Sequence, residues 1–130
     1  MVTHLLPVAL GGSLGAVFRY LLAGWVNQWN EGASFPWGTL TVNVLGSFSL
    51  GLLMALASDG TRGFEVPPFW FVLLGVGFLG AFTTFSTFSF ETIQALRDGS
   101  PSIAFGNIVA NVLLTLVACW VGLRLGEVFG

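Results

Sequence analysis

Four long stretches of this chain carry almost no charge, and they leave room for little else. They run from about 5 to 26, 37 to 57, 66 to 90 and 103 to 123, and Arg19 is the one charged residue inside them. Each reaches the roughly 20 apolar residues that a helix needs to cross the hydrocarbon core of a bilayer. A backbone in hydrocarbon must satisfy its own N–H and C=O groups, so segments of this length and polarity fold as helices. Charge is scarce in the whole chain: 8% of the 130 residues are Asp, Glu, Lys or Arg and 55% are hydrophobic, whereas a soluble domain carries about 25% charged residues. Such a chain cannot present a solvated surface on all sides. It is read as an all-α integral membrane protein of four transmembrane helices, and residues 1–130 form a single membrane domain.

The connections, Asn27–Pro36, Ser58–Glu65 and Glu91–Ser102, are too short for a soluble domain. Pro67 and Pro68 precede the third span, and Ser100-Pro101 precedes the fourth; a Ser cap followed by Pro starts a helix well. Asp59-Gly60 reads as a turn. Trp25, Trp29 and Trp37 gather at one interface and Trp70 and Trp120 at the other, as in aromatic belts. The first span is read as a retained helix. It has no basic leader, with only His4 before it, and its apolar run is too long for a signal peptide.

Small residues recur at a spacing of four: Gly11 and Gly15, Ser47 and Gly51, Gly106 and Ala110, Gly122 and Gly126. Such pairs let helix backbones approach closely in a bilayer. The charges hardly fix an orientation. With the N-terminus on one side, Arg62 and Arg124 fall on that side and Arg97 on the other. The positive-inside rule needs a clear excess. So weak a bias is compatible with insertion in both directions and with antiparallel pairing of two copies, and equally with chance.

One stretch departs from the apolar pattern. Gly77-Phe78-Leu79-Gly80-Ala81-Phe82-Thr83-Thr84-Phe85-Ser86-Thr87-Phe88-Ser89 opens on two glycines and interleaves aromatics with five hydroxyls. A lipid-facing helix has no use for them; a helix lining a polar path does, and the glycines suggest a break there. Asn43 adds a polar group to the second span. Asn107, Asn111 and Thr115 add a stripe to the fourth, four residues apart on one helix face. Two readings stand. These groups tie helices together, as Asn and Thr do in membranes, or they line a path for a small anion. Amides and hydroxyls are neutral donors that replace water without trapping an anion by full charge. Phenylalanine edges carry partial positive charge. Phe85 and Phe88 are three apart, on one face of a continuous helix, where core packing is the competing reading.

At this point the residues are similar to those of a known family. The chain resembles the small bacterial fluoride channels, the Fluc or CrcB family. Three segments carry the likeness: Gly11-Gly12-Ser13-Leu14-Gly15-Ala16-Val17-Phe18-Arg19-Tyr20, Gly38-Thr39-Leu40-Thr41-Val42-Asn43-Val44-Leu45-Gly46-Ser47-Phe48, and the highly specific signature from Gly77 to Ser89. The resemblance implies a dual-topology, antiparallel homodimer of four-helix subunits in the bacterial cytoplasmic (inner) membrane. It implies a third helix broken near its middle and two pores that let fluoride out passively. By motif position Phe85 and Phe88 would turn their ring edges to fluoride and Asn43 would be the pore asparagine. Ser86 and Thr87 would belong to a polar track, with Thr115 the contributor from the fourth helix beside Asn107 and Asn111. Arg19 would stand near an aqueous vestibule. Gly80 and Thr83 match the break, where backbone carbonyls would hold a structural sodium ion (Na+) at the dimer centre. Two departures stand out. The signature often reads Gly-Phe-Cys-Gly-Gly where this chain has Gly-Phe-Leu-Gly-Ala, and some members place Tyr where it has Asn107.

The rival reading is a small four-helix proton-coupled multidrug or cation exporter. That chemistry needs a carboxylate inside the membrane, and the four spans as read contain none. Glu91 lies at the end of the third span and is expected to face an interface or a polar partner. A proton-coupled fluoride exchanger would want a buried titratable group too, and an assembly protein would leave the hydroxyl-rich span unexplained. No enzyme site is expected: His4 stands alone, Cys119 is a single thiol, and neither a phosphate loop nor a nucleic-acid patch is present.

Overall fold

A computed structural model describes residues 4–58 and 67–129, and these fold entirely into helices and short connections. The first span is α1, Leu5–Trp29, and the second is α2, Trp37–Ser58. The third is composite. It comprises α3 (Pro68–Phe71), a π-helix (Val72–Leu79) and a last turn α4 (Gly80–Phe82); after two extended residues it resumes as α5, Phe85–Arg97. The fourth is α6, Pro101–Phe129. Four segments are long and apolar enough to span a membrane: Leu5–Trp29, Trp37–Ala57, Pro68–Arg97 and Pro101–Phe129. Val66, Arg62 and the expected Asp59-Gly60 turn lie outside the described residues.

The helices outrun the apolar stretches that foretold them. α1 continues past 26 to Trp29, the third span continues past 90 to Arg97, and the fourth runs from 101 to 129 rather than from 103 to 123. Apolar length marks the hydrocarbon crossing, whereas a helix ends where its carbonyls find a cap. α5 shows this. Gly99 takes a left-handed φ of 74°, its N–H bonds the Leu96 carbonyl at 3.1 Å, and the Ser100 N–H bonds the Ala95 carbonyl at 2.9 Å. These are the two crossed bonds of a glycine C-cap, and Pro101 then opens α6.

Close glycine contacts seat the bundle. α1 lies on the π-helix and α4, and α2 lies on α6. A Cβ on Gly11 would meet the Leu73 carbonyl, and one on Gly15 would meet the Phe78 carbonyl; from the other side, a Cβ on Gly77 would stand 3.0 Å from the Gly11 Cα. In a second seam a Cβ on Gly122 would meet the Phe48 carbonyl, one on Gly51 the Cys119 carbonyl, and one on Gly126 would stand 3.0 Å from the Leu52 carbonyl oxygen. Lipid tails are as apolar as leucine, so helices associate in a bilayer through fit and hydrogen bonds. Two of the expected pairs, Gly11 with Gly15 and Gly122 with Gly126, therefore form seams. The pair Gly106 with Ala110 does not: the nearest atom to a Cβ on Gly106 would be a Phe35 ring carbon at 3.8 Å.

The interior is unusually polar. Thr39, Asn43, Thr84, Thr92, Asn107 and Asn111 are buried, beside Leu40, Val42, Ala55, Leu79, Phe82, Phe88 and Ala104. Large apolar side chains such as Leu113, Leu116, Val117 and Trp120 of α6 face outward, the arrangement that suits a lipid solvent.

Candidate functional site

The third span stops being helical at Thr83 and Thr84. Thr83 has φ −83°, ψ 158° and Thr84 has φ −149°, ψ 110°, both extended. Gly80, where the glycines pointed, is still helical at φ −62°, ψ −34°. The break therefore falls downstream of the glycines, on two β-branched residues that take extended backbone readily. Thr84 also caps α5: its Oγ1 accepts the Thr87 N–H at 3.2 Å and donates to Thr87 Oγ1 at 2.9 Å.

A ladder of amides crosses the interior from this point. The Thr84 N–H donates to Asn43 Oδ1 at 2.8 Å, and Asn43 Nδ2 donates to the Thr84 carbonyl at 3.2 Å and to Asn111 Oδ1 at 3.0 Å. Asn111 Nδ2 donates to Asn107 Oδ1 at 2.8 Å and to the Asn107 carbonyl at 3.2 Å. Asn107 Nδ2 donates to Thr92 Oγ1 at 2.9 Å, which donates to the Phe88 carbonyl at 2.7 Å. One line of bonds thus joins α2, α5 and α6 around the break. It pairs buried polar groups that would otherwise be costly.

The expected site residues divide among three cavities. The first, of about 300 Å³, is lined by Asn43, Gly80, Thr83, Phe85, Phe88, Asn111 and Thr115 together with Thr84 and Ser47. Most of the expected set meets here. The Phe85 and Phe88 rings lie 5.3 Å apart between centroids and tilted by 53°. They differ in cover: Phe88 is 8% exposed and Phe85 78%. The second cavity, of about 310 Å³, holds Arg19 with Thr39, Thr84 and Thr87. The third, of about 190 Å³, takes Asn107 with Glu91, Gln94 and Asp98. Ser86 is exposed and lines none of the three. Its hydroxyl is 3.4 Å from Thr84 Oγ1.

Thr84 was missed as a site residue. It is buried and lines both the first and second cavities. The signal was present: a threonine directly before an apolar helical run is a helix cap.

Glu91 needs a correction. Because α5 continues to Arg97, the carboxylate lies inside the third span-length helix and not at its end. Thr39 Oγ1 donates to its Oε1 at 2.8 Å, so a polar partner is present as expected. Its Oε2 is buried without a partner among the described residues.

The break also bears on cation binding. In a continuous helix the Thr84 N–H would bond the Gly80 carbonyl and the Thr87 N–H the Thr83 carbonyl. Both donors are taken by side chains, Asn43 Oδ1 and Thr84 Oγ1. Gly80 is exposed, and a Cβ there would meet nothing closer than 3.9 Å. Two carbonyls without their helical donors, one of them on an open surface, fit the chemistry of a hard cation.

Comparison with known proteins identifies the family. The family model described as "CrcB-like protein, Camphor Resistance (CrcB)" matches residues 6–123. A protein of Magnetococcus marinus, named fluoride-specific ion channel FluC, is 51% identical over 120 residues, 92% of this chain and 94% of its own length. One of the same name from Geobacter sp. strain M21 is 45% identical over 124 residues, 95% of this chain and 97% of its own. Another from Hydrogenovibrio crunogenus is 47% identical over 129 residues, covering 98% and 94%. With a family match over nearly its whole length and relatives that align end to end, this four-helix membrane protein belongs to the CrcB family.

Proposed function

We propose that the chain is the subunit of a fluoride-selective channel that lets fluoride leave the bacterial cytoplasm passively. The observation that carries the reading is the first cavity. It gathers Phe85, Phe88, Asn111 and Thr115 beside the broken helix, in a chain whose relatives bear the name of fluoride channels. Fluoride is small and strongly hydrated, so a pore must replace its water closely. Hydroxyls, amides and ring edges supply partial positive charge without a fixed cation to trap the ion. Several weak sites let it move on. Arg19 in the second cavity stands where an anion would gather before entering.

The working unit is an antiparallel homodimer in the cytoplasmic membrane, with two pores at the subunit interface. Gly80 and Phe85, which line the first cavity, are both exposed on one subunit, and a second copy over them would complete it. A two-fold axis would then repeat every contact in both subunits. The nearly even placement of Arg62, Arg97 and Arg124 is compatible with insertion in both directions. The carbonyls of Gly80 and Thr83 would hold Na+ at the dimer centre, and the ion would supply fixed positive charge that favours anion entry.

The test is fluoride efflux from liposomes that contain the purified protein, with chloride as the control anion. Fast fluoride efflux without chloride efflux and without a proton gradient is expected. A second reading, the proton-coupled cation exporter, has one observation in its favour: Glu91 lies within the third span-length helix with one buried oxygen unpartnered. Efflux of organic cations that depends on a proton gradient, with no fluoride efflux, would establish that reading instead.

A further inference from the structure

A helix that breaks inside a membrane protein leaves backbone groups without partners, and something must take them up. The side chain that does so here is on α2. Asn43 meets both backbone groups of one residue: its Oδ1 accepts the Thr84 N–H and its Nδ2 donates to the Thr84 carbonyl. A side-chain amide can pair in this way only with an extended residue, whose N–H and C=O point to the same side, as they do across a β-ladder. Thr84 has that conformation. The second Nδ2 hydrogen goes to Asn111 Oδ1. An asparagine amide has two N–H donors, and both are engaged, in a side chain that is 9% exposed.

We infer that Asn43 is a positioning residue that holds the break open, and that it has no N–H left to give a passing anion. By keeping Thr84 extended it withholds the Thr84 N–H from the Gly80 carbonyl. The Thr84 hydroxyl withholds the Thr87 N–H from the Thr83 carbonyl in the same manner. Asn43 thus releases a carbonyl for a cation that it does not itself touch. This assignment narrows the resemblance, which makes Asn43 the pore asparagine. Its meaning for transport rests on the proposed channel function.

The experiment uses the full chain, purified and folded, with Asn43→Leu as the variant; leucine keeps the branched shape and removes all three bonds. The readouts are deuterium exchange at the Thr84 amide, the rise in melting temperature on adding sodium, and fluoride efflux. The expected result is exchange at Thr84 faster by roughly tenfold or more, the size of one lost buried hydrogen bond, together with loss of the sodium response and of efflux. Loss of efflux with Thr84 exchange and the sodium response unchanged would overturn the inference and make Asn43 a fluoride donor. Should the variant not fold, the wild type decides. The Asn43 side-chain amide hydrogens, followed by nitrogen-15 magnetic resonance, should stay in place as fluoride is added, and a fluoride-dependent shift of those hydrogens overturns the inference. If the wild type moves no fluoride in liposomes, the channel reading fails, while exchange at Thr84 still tests the role of Asn43.

Discussion

The two halves of the third span are held in place by different physics. Before the break, residues 68–82 press against α1 through Gly11, Gly15 and Gly77. Among the described residues no side-chain hydrogen bond ties that half to another helix. After the break, α5 is fixed by directional bonds: Thr84 to Asn43, Glu91 to Thr39 and Thr92 to Asn107. In lipid, neither half gains from hiding apolar surface between helices. The first half therefore depends on fit, and fit tolerates no added atom. The second depends on bonds that set rotation and register. That suits a segment whose rings and hydroxyls are proposed to face a path.

If fit alone seats the first half, one added side chain should unseat it. Gly15→Val places new carbons against the Phe78 carbonyl, which is backbone and cannot swing aside. The expected cost exceeds the roughly 1–3 kcal/mol of ordinary overpacking, and it should appear as loss of monodisperse folded protein. Gly24→Ala is the control on the same helix, because a Cβ there meets nothing within 4 Å. Its melting temperature should hold or rise, since alanine favours a helix by about 1 kcal/mol over glycine. Equal damage from the two variants would refute the assignment of the seam.

The second half predicts the opposite pattern, in which function falls before assembly. Phe85→Ile and Phe88→Ile should each cut fluoride efflux by about tenfold or more, the equivalent of about 1.4 kcal/mol at one ion position, while the purified protein keeps its elution volume. Phe88 is the more buried ring, so its variant should also melt lower, by the roughly 1 kcal/mol of a small cavity. Full efflux in both variants would contradict the assigned pore. Within the amide ladder, Asn107→Leu should lower stability by about 1–3 kcal/mol, because it removes two buried bonds, to Asn111 and to Thr92, and leaves Asn111 Nδ2 with the Asn107 backbone carbonyl and Thr92 Oγ1 with the Phe88 carbonyl alone. A thermal melt reads this directly, and an unchanged melt would mean that the ladder contributes nothing to the second half.

The two halves also differ in how far they could be read from the chain. The seam on α1 was legible because glycines four apart lie on one helix face whatever surrounds them. The break was expected at Gly80 and Thr83; it falls at Thr83 and Thr84, with Gly80 still helical. Its position depends on Asn43, 41 residues away in the chain, and no local pattern reports such a partner. The stripe of Asn107, Asn111 and Thr115 was legible as a stripe but not as a divided one. Residues four apart on a helix differ by about 40° in direction, so Asn107 turns toward Thr92 and the third cavity while Thr115 reaches the first. The π-helix from Val72 to Leu79 had no signal, since its apolar residues suit an α-helix equally well.

Glu91→Gln is the smallest expected change, and it probes the second half at the point where the two functional readings separate. Thr39 Oγ1 donates to Glu91 Oε1, and a glutamine oxygen accepts the same bond. Oε2 is buried without a partner among the described residues, so an NH2 in its place strands no group that is now paired. Stability should therefore move by no more than about 1 kcal/mol. In a channel, fluoride moves down its own gradient and no proton needs to be carried, so efflux should stay within about twofold of the wild type and keep its pH profile. In an exporter the same carboxylate would exchange its proton for cargo on every cycle, and the amide, which cannot titrate, would abolish transport. Abolished transport with intact folding would turn α5 from the wall of a pore into the seat of a coupling residue. Preserved efflux would leave Glu91 as a partner that holds Thr39, and through it α2, against the second half of the span.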